Sequence, residues 1–177
     1  AARQSSRSRR ANFRGDVVTL VAGFNYDGGV CLCSDSEVNV YAEESVIKAD
    51  ALKIDHFQGD WGMTAFAASG NLVLAAHAFN ACKKALLQAP KKTAALSAIE
   101  KILKYEYEET VWKNPVASSD VSLPYELLVA FCKKGQRPSL HFTQENTLNP
   151  IGSYHPLGNG RDSCHSTVRQ AFSSSMS

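Results

Sequence analysis

The chain has 177 residues, with 19 Lys plus Arg against 17 Asp plus Glu, and 44% of its positions are hydrophobic. That length and balance fit one compact domain and leave two full domains cramped. Charged residues at 20%, with six Pro and eleven Gly, exclude collagen-like, wholly disordered and acidic low-complexity chains.

The net charge of +2 is unevenly placed. Residues 1 to 18 hold Arg3, Arg7, Arg9, Arg10 and Arg14 against Asp16, a local charge of +4, so the other 159 residues sum to −2. A body of that balance offers no basic face, and nucleic acid is not an expected partner. Five cysteines without a C-x-x-C pair do not describe a disulfide framework and point to a reducing, cytoplasmic setting. The stretch from 61 to 82 has no charged residue, yet Ser69-Gly70-Asn71 breaks it, so it reads as strand, turn and helix, not as a membrane span. No apolar run follows the basic N-terminal residues, so no secretory signal is expected.

In chain order, residues 1 to 18 are too polar to offset their ordering entropy and are expected to be a flexible tail or propeptide. Two strands, 17 to 24 and 30 to 33, flank a turn at Asn25-Tyr26-Asp27-Gly28-Gly29, and a second pair spans 45 to 57 and 61 to 68. Asn71 can cap a helix in which Leu72, Ala75, Ala76, Phe79, Cys82 and Leu86 recur at helical spacing, ending near Pro90. A second helix is predicted from about 93 to 112, after an N-cap at Lys92 or Thr93. A polar linker at 114 to 122 leads to a hairpin of 125 to 132 with 139 to 143, a short strand at 149 to 154, and a last helix at 161 to 172. Four strands, two helices, two or three strands and a helix suggest two stacked antiparallel sheets between helix layers.

Three positions carry the chemistry of interest. Thr19 opens the first strand, Asp35 ends the second in Ser34-Asp35-Ser36, and Lys53 stands in Leu52-Lys53-Ile54. A threonine hydroxyl is a weak nucleophile, but a free α-amine on the same residue, with a pKa of about 8, can take its proton. A neighbouring Lys53 ammonium would favour the uncharged amine, and Asp35 would hold Lys53 in place. The scheme requires Thr19 to be the first residue of the working chain. Taken singly, each residue has a plain reading: a β-forming Thr, a strand-end Asp and a solvated Lys.

These residues, with Gly29, the strand end and turn Ala65-Phe66-Ala67-Ala68-Ser69-Gly70, and Gly158-Asn159-Gly160 before the last helix, resemble a proteasome β-type subunit of the N-terminal-nucleophile hydrolases over roughly residues 19 to 172. The resemblance implies an α+β fold, a four-layer αββα sandwich of two stacked antiparallel sheets, in a single domain over residues 19–177. It implies a threonine-type peptidase that needs no metal or organic cofactor, with Thr19, Asp35 and Lys53 catalytic. It places Ala68 and Ser69 at the oxyanion turn, Asn159 near the nucleophile, and Val38, Phe66 and Gly70 around a specificity pocket suited to smaller or aliphatic side chains. The implied partners are a peptide or unfolded-protein substrate, a homo-oligomeric ring and an ATP-dependent unfoldase. Three positions depart from the family pattern: Val18 where autoprocessed members have Gly, Asn159 where Ser is usual, and Ala68 where Gly is usual. The chain also stops at Ser177, before the place where many subunits supply a further Asp and Ser.

Two other functions remain open on the same fold: a non-catalytic subunit that keeps its tail, and a hydrolase of small amides. Cys31 and Cys33 share a strand face but read as buried small apolar residues more readily than as metal ligands. Cys164 between His155 and His165 matches no cysteine-nucleophile signature.

Overall fold

The computed structural model describes residues 19–42, 45–59, 62–88, 92–113, 125–133 and 135–175. The expected tail at 1 to 18 and the linker at 114 to 122 lie outside the described residues. Six strands precede the first helix: β1 (Val21–Tyr26), β2 (Gly29–Ser34), β3 (Glu37–Ala42), β4 (Ser45–Asp50), β5 (Ile54–Gly59) and β6 (Gly62–Gly70). Helix α1 (Leu72–Gln88) and helix α2 (Lys92–Tyr107) follow, and α2 runs on into a π-helical turn, Glu108–Trp112. Strands β7 (Tyr125–Cys132), β8 (Ser139–Gln144), β9 (Thr147–Ile151) and β10 (Tyr154–Leu157) lead to α3 (Arg161–Ser175).

Every strand pairing is antiparallel. One sheet has the order β5-β6-β7-β8-β9, a second β10-β1-β2, and β3 with β4 form a separate hairpin. The expected four opening strands are therefore six. The single strand expected over 45 to 57 is interrupted at Ala51-Leu52-Lys53, where the Ala51 amide donates to the Ser36 carbonyl and the chain passes from the hairpin to the five-stranded sheet. The strand expected at 149 to 154 is likewise two, β9 and β10, with Asn25 tying the bend through its amide to the Ser153 carbonyl at 2.6 Å. Thr19 and Leu20 precede β1 instead of opening it.

Central strand β7 shows how the layers arise. Tyr125, Leu127, Val129 and Phe131 point one way, into a core shared with Phe79, Cys82 and Leu86 of α1 and Ile99 and Leu103 of α2. Leu128 and Ala130 point the other way, against Val21 and Leu157 of the three-stranded sheet and Leu140 of β8. A strand buried on both faces needs apolar residues at successive positions, which is why Tyr-Glu-Leu-Leu-Val-Ala-Phe-Cys reads as a run and not as an alternation. Truncating a fully buried member such as Leu128 to Ala would cost about 2–5 kcal/mol.

Asn71 starts α1 at the end of β6. Its Oδ1 accepts the amides of Val73 and Leu74, both at 3.1 Å, which satisfies two of the four unpaired amides of the first turn. Among the described residues, no helix is long and apolar enough to cross a membrane.

Candidate active site

Strand register brings the start of β1 beside the end of β2. The ladder that pairs Val21 with Ser34 extends one rung, so that the Asp35 amide donates to the Leu20 carbonyl at 3.0 Å and the Asp35 carboxylate accepts the Leu20 amide at 3.3 Å. Asp35 thus fixes the peptide that follows Thr19. The carbonyl of Thr19 itself accepts the Gly160 amide at 3.1 Å, so the Thr19–Leu20 peptide is held by the Asp35 carboxylate at its N–H and by the Gly160 amide at its carbonyl.

Lys53 enters from the break between β4 and β5. It is only 4% exposed, and its ammonium donates to Asp35 Oδ1 at 2.6 Å and to the Glu37 carbonyl at 2.5 Å. A buried ammonium needs such partners, because an uncompensated charge out of water is costly. Asp35 therefore touches both the Lys53 ammonium and the backbone next to Thr19.

The third side of the site is the loop from β10 to α3. Gly158 has φ of +88°, and a Cβ there would lie 2.8 Å from the Ser69 hydroxyl and collide with the Thr19 carbonyl oxygen. Both the conformation and the space demand glycine. Ser69 is buried, while Asn159 is exposed at the loop tip. Arg161, in the first turn of α3, reaches Glu126 of β7 at 3.7 Å and ties this loop to the five-stranded sheet.

The amide of Ala68 donates to the Lys53 carbonyl at 2.8 Å. It is occupied in the sheet, which corrects the expectation that it is free to face an oxyanion. Gly70 ends β6 with φ of +88°, opposite Tyr125. Val38 lies in β3 opposite Ala49, and its side chain is outside the described residues. Phe66 and Ala68 line a cleft of about 120 Å³ beneath α1, together with Lys53, Leu72, Ala76 and Phe79. Sequence reasoning missed the Gly160 amide, the Glu37 carbonyl and the α1 walls of this cleft. The two glycines around Asn159 were the available signal for the first, whereas the helix residues read only as core spacing.

The cysteine alternatives find no support in the geometry. Tyr154 holds Nδ1 of His165 at 2.9 Å, and burial raises the Cys164 thiol above its ordinary value, favouring the neutral form. Cys33 is also raised, by burial first and then by Cys31 and Cys164. Among the described residues, no three His, Cys, Asp or Glu side chains group to hold a metal ion.

No protein-family model matches the chain, and no curated protein sequence matches it. Solved structures do. The helical assembly of the Anbu complex from Pseudomonas aeruginosa aligns with a TM-score of 0.64 at 16% identity, covering 81% of this chain and 62% of that one. Anbu (ancestral beta-subunit) from Yersinia bercovieri gives 0.61 at 15%, covering 81% and 61%. Anbu from Hyphomicrobium sp. strain MC1 gives 0.60 at 14%, covering 81% and 62%. The chain thus spans about three-fifths of the length of these proteins, and at such identity the likeness establishes the fold, a mixed α/β fold of the proteasome-like kind. The reading of residues 19 to 172 as a proteasome β-type subunit is corrected by this finding: the matching structures are Anbu proteins, related to proteasome subunits but distinct from them. The strand, glycine turn and Asp-Ser end on which that resemblance rested are local features of the shared fold and do not separate the two.

Proposed function

We propose that residues 19–177 form a single N-terminal-nucleophile hydrolase domain, a four-layer αββα sandwich, that cuts peptide bonds with Thr19. The observation that carries this reading is the continuous set of contacts from Lys53 to Asp35, from Asp35 to the Leu20 amide, and from the Thr19 carbonyl to the Gly160 amide. Such a set orients one residue, and that residue bears the hydroxyl.

Once the Val18–Thr19 bond is cut, the α-amine accepts the hydroxyl proton as Oγ attacks the substrate carbonyl. The amine passes that proton to the leaving peptide amine, an acyl ester remains on Thr19, and water hydrolyses it. With the Ala68 amide engaged, another backbone donor must meet the oxyanion. Amides alternate in direction along a strand, so that of Gly70 lies on the same side as that of Ala68 but beyond the start of β5. Gly70 is the donor in this reading, with the Ser69 hydroxyl beside the nucleophile's carbonyl.

Self-assembly belongs to the same proposal, as either a ring or a helix, because the Pseudomonas relative is described as a helical assembly. An ATP-dependent unfoldase that feeds unfolded protein to it, and a cytoplasmic setting, follow from that reading. The test compares the full chain, a chain released from a fusion so that Thr19 is first, and its Thr19→Ala variant, on fluorogenic peptides, unfolded casein and small amides. Peptide cleavage only by the chain with free Thr19 is expected. Equal activity of the Ala variant, or turnover of small amides alone, would overturn the peptidase reading.

A further inference from the structure

The cleft beside Lys53 has a charge placed where an apolar cavity does not need one. Lys53, Asp55 and Phe57 lie at alternate positions and so share one face of the β5 segment, the face turned to α1. Phe57 is buried under the helix, whereas Asp55 is exposed and lines the cleft together with Ala75 and Ala76. Strand register sets the floor: Asp55 is opposite Phe66, and the Lys53 carbonyl is bonded to Ala68, which is opposite Leu127. Small side chains at Ala68, Ala75 and Ala76 leave the space open, and Phe66 and Phe79 supply aromatic walls.

Two charged groups line this space, and they are not equivalent. The Lys53 ammonium is committed to Asp35 and to the Glu37 carbonyl. The Asp55 carboxylate accepts only the amide of His56, at 2.7 Å, and has no cationic partner among the described residues. An exposed carboxylate without a cationic partner on the wall of a mostly apolar cleft complements a side chain with an aliphatic stem and a terminal cation: the stem covers the Ala and Phe walls while the head reaches the carboxylate.

We propose that this cleft takes a lysine side chain of the peptide, the one preceding the bond to be cut, and that Asp55 selects it. The expectation of a smaller or aliphatic residue becomes the competing outcome. The inference rests on the reading of the Thr19 end as the cutting site, since the Lys53 contacts join the cleft to Asp35. The cleft's volume of about 120 Å³ is of the size of one side chain.

Binding tests this without requiring turnover. N-acetyl-Ala-Ala-Lys-amide and N-acetyl-Ala-Ala-norleucine-amide, which differ in the terminal cation, are titrated calorimetrically into the full chain, its Asp55→Asn variant and its Asp55→Glu variant. The lysine peptide should bind about tenfold tighter than the norleucine peptide. The ratio should fall to near one in Asp55→Asn and return in Asp55→Glu, with unchanged melting temperatures certifying the fold. Equal affinities, no binding of either peptide, or a lysine preference that survives in Asp55→Asn would overturn the proposal. Asp55-dependent lysine binding without cleavage by a chain starting at Thr19 would keep the cleft and refute the nucleophile. Cleavage after leucine, indifferent to Asp55→Asn, would do the reverse.

Discussion

The ammonium of Lys53 lies 2.6 Å from Oδ1 of Asp35, and the two partners differ in exposure: the Lys53 side chain is 1% accessible and that of Asp35 30%. The cation is the buried member, so it depends on the pair more than the anion does. Asp35→Asn would leave the Lys53 ammonium with neutral acceptors only. A loss of about 2–3 kcal/mol is expected in urea denaturation, below the range for a wholly buried pair because water reaches Asp35. Lys53→Met added to Asp35→Asn should restore part of that stability, since the uncompensated charge goes with it, while leaving any Thr19 activity abolished.

Gly158 answers to a different constraint. Its φ of +88° and the proximity of the Thr19 carbonyl and the Ser69 hydroxyl leave no place for a methyl group. Gly158→Ala is expected to destabilise the fold by about 1–3 kcal/mol and to displace Thr19. The melting temperature reads the first effect, and the rate of modification of a free Thr19 by a β-lactone reads the second, which should fall at least about tenfold.

His155 gives the fold an acid limit. It stacks on Phe142 with ring centroids 4.0 Å apart, and burial first, then His165 and Arg161, hold its pKa below the ordinary 6.5. The folded chain therefore binds fewer protons at this site than the unfolded chain. Its stabilising contribution is complete above about pH 6.5 and is lost as pH falls toward the lowered folded value. The melting temperature should drop between pH 7 and pH 5, and the drop should be smaller in His155→Phe, which preserves the stacking.

Thiol chemistry should divide the cysteines. Cys82 is fully buried between α1 and the sheet, and burial, with a smaller contribution from Glu106, pushes its thiol up to about 12. Cys31 is exposed. Iodoacetamide at pH 8 is expected to label Cys31 in the native protein and to reach Cys82 only after denaturation, with peptide mapping as the readout. Native labelling of Cys82 would mean that α1 opens from the sheet.

Much of the frame was legible because burial writes it directly into the sequence. The β7 run, the helical spacing of Ala75, Phe79, Cys82 and Leu86 and the Asn71 cap each follow from local chemistry. The β3–β4 hairpin was missed although Glu37-Val38-Asn39-Val40 alternates, because the run from 45 onward was read straight through Ala51-Leu52-Lys53, a break made by a long-range bond to Ser36. The same limit applied to the site. Nothing local in Ala68 reveals that its amide is bonded to Lys53, and the glycines around Asn159 signal a turn without revealing that Gly160 holds Thr19. Those are properties of strands brought together from distant parts of the chain. The order of Thr19, Asp35 and Lys53 drew attention only through its resemblance to a known pattern.

The most direct measurement is the mass of the protein after reaction with a threonine-directed β-lactone, made on the full chain and on the chain beginning at Thr19, with the adduct mapped to a residue. The account predicts one acyl adduct, on Thr19, in the chain that begins there, and none in the full chain or in Thr19→Ala. No adduct on an exposed Thr19 in a folded protein, or an adduct elsewhere, would contradict it.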